Sequence, residues 1–154
     1  MSIKQQLQTG AAAGLDQWHA MVAKGDLGEL RALLHPNAVF RSPMAHKPYA
    51  SAQAVALILN TVAGVFSNFQ YHRQLASDDG LSVVLEFSAD VGDKALKGID
   101  LIRFDADGKI VEFEVMVRPL SGLQALGAEM GRQLGALLPA NQAAQLRPDC
   151  PPAR

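Results

Sequence analysis

Between residues 81 and 117 apolar and polar positions alternate in three runs separated by glycine-containing turns. Leu81, Val83, Leu85, Phe87 and Ala89 alternate with Ser82, Glu86 and Ser88, and Val111, Phe113, Val115 and Val117 alternate with Glu112 and Glu114. A period of two is that of a half-buried β-strand. In the run between them Leu96, Gly98, Asp100, Ile102 and Phe104 share one face. Adjacent strands turn their apolar faces to the same side of a sheet, so the pattern points one acid, Asp100, into the hydrophobic layer.

Elsewhere the periodicity is helical. Ile3, Leu7, Leu15, Trp18, Met21 and Val22 predict a helix over residues 2–24, with Gly10 and Gly14 weakening its first half. Asp26, with Glu29 at capping-box spacing, predicts a second helix whose apolar side is Leu27, Leu30, Leu33 and Leu34 and which Pro36 ends. Residues 38–41 read as a short strand, and residues 42–49 (SPMAHKPY) as a loop pinned by Pro43 and Pro48. Ser51 is placed to cap a third helix over residues 52–66, with Val55, Ile58, Leu59 and Val62 inward. Residues 69–77 form the first long strand, and Asp79-Gly80, Gly92-Asp93 and Asp107-Gly108 turn it into the three that follow.

Ser121 and Gln124 open a last helix with the stripe Leu123, Leu126, Met130, Leu134 and Leu137. Gly127, Gly131 and Gly135 recur on another side of it, as a close backbone approach (to a second subunit, for example) or as a marginal helix near a frayed end. Residues 1–138 read as one domain and the proline-rich residues 139–154 as a disordered tail. The order of elements predicts an α+β fold: a curved antiparallel sheet wrapped on helices into a cone, plus the C-terminal helix. The hollow of such a cone is a natural pocket.

Composition narrows the partners. The chain has 154 residues, 49% of them hydrophobic and 19% charged, with a net charge of −1. No basic stripe calls for nucleic acid, and no apolar run reaches membrane length. With no signal-peptide pattern and a single cysteine, Cys150, that has no internal partner, a cytoplasmic location is expected. The four histidines lack ligand spacing, so neither a metal nor a cofactor is expected.

Three segments carry a resemblance: residues 18–26 (WHAMVAKGD), 33–43 (LLHPNAVFRSP) and 98–110 (GIDLIRFDADGKI). From about residue 12 to 120 the chain resembles the nuclear-transport-factor-2-like superfamily of cone-shaped α+β domains. This superfamily includes ketosteroid isomerases, SnoaL-like polyketide cyclases and limonene-epoxide hydrolases. The resemblance implies the fold more strongly than an activity, because this scaffold hosts many chemistries. Asp100 falls where ketosteroid isomerases carry the protonated acid that hydrogen-bonds the developing oxyanion, an acid kept neutral by its apolar surroundings. Trp18 stands where that family has its tyrosine donor, and Ser42, just before Pro43, where it has its aspartate base. An indole N–H can donate, but an unassisted serine is no enolising base, so isomerisation by that route is not expected. Arg118-Pro119 stands where the cyclases place an acid, and the Arg–Asp–Asp set of the epoxide hydrolases is not visible.

Candidate chemistry therefore centres on Asp100. It is either a ligand-facing acid or a structural one satisfied by Trp18 Nε1, loop backbone or water. His46, in the proline-bracketed loop, is a candidate base; the ordinary reading of such a residue is an exposed loop histidine. His19 is expected to face outward and His35 to sit at a helix C-terminus. Trp18, Phe40, Ser42, Met44, Phe66, Val83, Leu85, Phe87, Ile102, Phe113 and Val115 are the residues that would line a pocket for a hydrophobic small molecule, or else fill the core. The opposite sheet face carries Val84, Glu86, Lys97, Ile99, Leu101, Arg103, Glu112, Glu114 and Met116. Its large apolar members point to burial against a second copy of the chain, a homodimer through the outer sheet face. Three functions remain open: a binding domain, a lyase, isomerase or cyclase acting on a hydrophobic carbonyl compound, or a dimerisation module with a filled core.

Overall fold

In the computed structural model, which describes residues 2–135, the alternating runs pair into one six-stranded sheet. β3 (Ser67–Ala76), β4 (Ser82–Val91), β5 (Lys94–Phe104) and β6 (Ile110–Arg118) form an antiparallel meander, and Gly80, Gly92 and Gly108 take positive φ in its turns. β1 (Leu34–Arg41) lies beside β6 and runs parallel to it, while β2 (Tyr49–Ala50) pairs antiparallel with β1 at the edge. The order is β2-β1-β6-β5-β4-β3. The sheet is thus mixed, not wholly antiparallel. A strand joined to its neighbour only by tertiary contact has a direction that period-two patterning cannot reveal. The sheet is curved and unclosed, with register breaks in the β1/β6, β3/β4 and β5/β6 pairs, irregularities of the kind that bend a sheet.

The helices are α1 (Ile3–Gln6), α2 (Thr9–Lys24), α3 (Leu30–Leu33), α4 (Ala52–Val65) and α5 (Leu120–Leu134). The expected N-terminal helix is broken because the Gln8 N–H donates to the Gly80 carbonyl at 2.9 Å, and its side-chain amide to the Asp79 carbonyl. Gly10 and Gly14 do not fray α2; they let it press on the β5–β6 connection, where added Cβ atoms would strike the Ala106 carbonyl and the Phe104 ring. The second helix shrinks to one turn. Asp26 Oδ1 accepts from Gly28 N at 2.8 Å, closing a local turn in place of the capping box with Glu29. Leu27, Leu30, Leu33 and Leu34 are buried all the same. Pro36 and His35 lie in β1, and His35 Nδ1 accepts from Asn37 N at 3.0 Å instead of capping a helix.

Ser51 does cap α4, its Oγ accepting from Ala54 N at 3.2 Å. Ser121 caps nothing, since α5 begins at Leu120 behind Pro119. Leu137 and residues 139–154 lie outside the described residues. Ala11, Leu15 and Trp18 of α2, Val55, Ile58 and Leu59 of α4, and Leu126, Met130 and Leu134 of α5 are buried with the inner sheet face in one core. Among the described residues no helix is long and apolar enough to cross a membrane.

Candidate functional site

Asp100 is inward because β5 alternates strictly: Leu96, Gly98, Ile102 and Phe104 on the same face are all buried. Its cross-strand neighbours are Leu85 on β4 and Val115 on β6. Asp100 is only 6% exposed. Desolvation raises its pKa from 3.8 to about 7, against the opposing pull of a hydrogen bond from Tyr71. At neutral pH this carboxyl is therefore divided between its acid and its anion.

The partner the sequence reading missed is Tyr71, on edge strand β3. Its hydroxyl lies 2.6 Å from Asp100 Oδ2, and Trp18 Nε1 of α2 donates to that hydroxyl oxygen at 2.9 Å. An indole N–H can only donate, which leaves the phenolic proton for Asp100. Trp18 thus reaches the acid through Tyr71, and its N–H is not free to anchor a ligand. Among the described residues Asp100 Oδ1 accepts no protein hydrogen bond. When the carboxyl is neutral its proton accordingly belongs on Oδ1. Burial and the adjoining carboxylate push the Tyr71 hydroxyl well above its ordinary pKa, so Tyr71 remains a donor.

Tyr71 shares one cross-strand row with Phe87 of β4 and Gly98 of β5. Phe87 pairs with Gly98, and a Cβ at Gly98 would lie 2.7 Å from Phe87 Cζ. Without that Cβ the Phe87 ring lies down over β5. Phe69 stacks on Phe87 with centroids 5.1 Å apart and meets Tyr71 edge-on at 4.9 Å. The edge of His19 packs 5.4 Å from the Tyr71 ring, and its Nε2 is 3.4 Å from Gln74 Oε1, so His19 is half-buried against the sheet and does not face outward.

Beside Asp100 opens a cavity of about 220 Å³. Of the residues singled out from sequence, Trp18, Phe40, Ser42, Met44, Phe66, Asp100, Phe113 and Val115 line it. Val83, Leu85, Phe87 and Ile102 do not. They are essentially inaccessible and fill the core, Phe87 beneath the Phe66 and Phe69 rings. His46 is exposed and is not among the lining residues. The loop turns outward after Met44 and returns to bury Tyr49 in β2.

Besides Tyr71, the reading missed lining by Val22, Gly25, Leu27, Pro43, Ile58, Leu59, Val62, Ala63, Phe69, Leu126 and Met130. Gly25 and Ala63 keep solvent exposure and mark a mouth between the C-terminal ends of α2 and α4. The alternation of Phe69 with Tyr71 was the signal available for the β3 residues. Among the described residues, polar character in the lining is confined to the Asp100–Tyr71–Trp18 chain and to Ser42, whose Oγ accepts from Met44 N at 3.0 Å. Asp100 is the sole carboxylate lining the cavity among the described residues. Among the described residues no group of three or more His, Cys, Asp or Glu is gathered as a metal site requires.

The model of the SnoaL-like domain matches residues 15–113. The chain belongs to the SnoaL-like domain family. This SnoaL-like chain is similar in structure to a steroid delta-isomerase of Pseudomonas aeruginosa, with 68% identity, a TM-score of 0.83, and coverage of 84% of this chain and 95% of that one. It is also similar to an uncharacterised bacterial protein with a cystatin-like fold from Silicibacter pomeroyi, at 33% identity and TM-score 0.76 over 83% of this chain and 89% of the other. A protein of unknown function from Mesorhizobium loti, described as like nuclear transport factor 2, shares the fold at 18% identity and TM-score 0.63, covering 73% and 93%. No curated protein matches the SnoaL-like chain.

Proposed function

We propose that this SnoaL-like domain binds a hydrophobic small molecule in the cavity, with an oxygen acceptor of the ligand seated against Asp100. The observation carrying this reading is a nearly buried carboxyl, its pKa at about 7, whose Oδ1 has no hydrogen-bond partner among the described residues, in a cavity otherwise almost wholly apolar. Tyr71 holds Oδ2 and orients the group. The neutral acid then offers its Oδ1 proton to a carbonyl oxygen, and surrounding aromatic side chains take up the ligand's apolar body.

Trp18 is the only tryptophan in the chain and lines the cavity, so its fluorescence reports occupancy directly. A ketone such as androstenedione should quench or shift that emission, with affinity falling about tenfold for each pH unit above 7, because the ionised acid has no proton to donate and repels the carbonyl oxygen. The parent hydrocarbon androstane should bind more weakly and without pH dependence. No response to either compound would sink the reading; equal, pH-independent responses would remove Asp100 from it.

A second reading, isomerase activity, is favoured by the name of the 68%-identical protein. In it Asp100 supplies the proton to the carbonyl oxygen as an enol develops. Proton removal from carbon needs a base as well, and Ser42, with only the Met44 N–H on its Oγ, is not one unassisted, so this reading is the weaker of the two. Conversion of a β,γ-unsaturated ketosteroid to its conjugated isomer, followed by the enone absorbance, would select this reading if Asp100→Asn abolished it. Binding without turnover would select the first.

We further propose a homodimer through the outer sheet face. Leu75 and Met116 there are 57% and 46% exposed. Val84, Ile99 and Leu101 lie between them in adjacent strands. Several charges on this face are already paired within the chain. Glu86 takes Arg73 at 2.7 Å and Lys97 at 3.4 Å, and Arg41 meets Glu112 at 2.6 Å. The Arg73 hydrogen bonds hold the Glu86 carboxyl down at about 2. Internally paired charges lower the cost of covering the face. Sedimentation at micromolar concentration should give a dimer for the parent and a monomer for Ile99→Glu, and a monomeric parent would refute the proposal.

A further inference from the structure

Met44 leaves β1 on the loop that borders the cavity, and Gly127 belongs to α5, which closes the cavity from the other side through Leu126 and Met130. These two residues meet. A Cβ placed on Gly127 would fall on Met44 Cε, 2.9 Å from its Sδ and 3.3 Å from its Cγ. The methionine's thioether end therefore rests in the notch left by the missing side chain. The glycine pattern of α5, open in sequence between a subunit contact and a marginal helix, is at this position a close approach within the chain.

We propose that Gly127 sets the size limit of the ligand by holding Met44 out of the cavity. The inference rests on the binding function proposed above. Methionine has three flexible torsions and its far end yields readily when pushed. Met44 already lines the cavity, so the free volume beside it is the ligand's own space. A methyl group at residue 127 displaces the thioether into that space. Close-packed interiors respond to a single methylene, so the consequence falls on large ligands first and on small ones hardly at all. Gly127 touches no ligand in this scheme; it is a positioning residue that acts through Met44.

The experiment uses the full chain and three neutral ketones of increasing ring number: cyclohexanone, decalone and androstenedione. Binding is read from Trp18 emission in the parent, Gly127→Ala, Met44→Ala and Gly127→Ala/Met44→Ala. Gly127→Ala should weaken androstenedione tenfold or more, decalone less, and cyclohexanone less than twofold. Removing Met44 as well should restore the affinity for androstenedione to that of Met44→Ala alone. Thermal melting supplies a readout independent of any ligand. In the Met44→Ala background alanine at residue 127 should raise the melting temperature, because alanine is the better helix former, and in the parent background that gain should shrink or reverse.

A loss equal for all three ketones, or one that persists in the double variant, would overturn the size limit while leaving the binding function intact. Absence of any Trp18 response in the parent would overturn the binding function and the size limit together. The melting comparison would then still show whether Met44 occupies the notch.

Discussion

The stability difference between Asp100→Asn and the parent is expected to shift by about 2–4 kcal/mol in the variant's favour between roughly pH 4 and pH 8. Burial raises the carboxyl from 3.8 to about 7, so from pH 4 to pH 7 the folded protein keeps a proton that the unfolded chain has released. The native state binds more protons in that window, and its stability falls as pH rises through it. Below the unfolded value of 3.8 both states are neutral at this group and nothing is lost; above 7 both are ionised and the loss is complete. Asparagine does not titrate, and its side-chain oxygen can still accept from Tyr71. Its amide nitrogen finds no protein partner, a penalty of about 1–3 kcal/mol that is the same at every pH. The slope, not the offset, is therefore the signature. Urea denaturation of both proteins across the range measures it. A difference flat with pH would mean that Asp100 is not a desolvated acid, and the cavity would lose its polar anchor.

Tyr71→Phe should cost about 2–4 kcal/mol, because two buried groups lose their partner at once. Trp18 Nε1 would have no acceptor, and Asp100 Oδ2 no donor. The loss has a diagnostic coupling. In a Trp18→Phe background the indole N–H is already gone, so removing the Tyr71 hydroxyl should cost about 1 kcal/mol less than in the parent. Tyr71 also lowers the acid's pKa, so without it Asp100 should titrate above 7, and ketone binding should persist to higher pH. Chemical denaturation gives the cycle, and the pH midpoint of binding to Tyr71→Phe, with Trp18 intact as reporter, gives the shift. Strictly additive costs with an unmoved midpoint would show that the three side chains do not act as a chain.

Both predictions touch a site that was half legible in the sequence. The inward placement of Asp100 is a local fact, since a strand's faces alternate whatever it packs against, and Leu96, Gly98, Ile102 and Phe104 declare the buried one. Tyr71 declared itself less. It sits on edge strand β3, whose register breaks between Tyr71 and Gln74, and the acid it bonds lies two strands away. The inner-face residues divide the same way. Phe113 and Val115 line the cavity, whereas Val83, Leu85, Phe87 and Ile102 fill the core. Face membership follows from spacing, but depth along the face depends on where α2, α4 and α5 come to rest. His46 shows the limit in a loop, because two prolines announce a bend without saying which residues of it point inward.

By itself the amino-acid order determined most of α2, α4 and α5, the four-strand meander with its three glycine turns, the Ser51 cap and the burial of one acid. Each of these is decided within a few residues by backbone sterics, hydrogen bonding and the side-chain period. Only the tertiary structure decided that β1 runs parallel to β6, that Tyr71 and Trp18 complete the acid's hydrogen-bond chain, and that a notch at Gly127 receives Met44. Those depend on elements distant in the chain being brought into contact, and local periodicity does not encode which distant side chains meet.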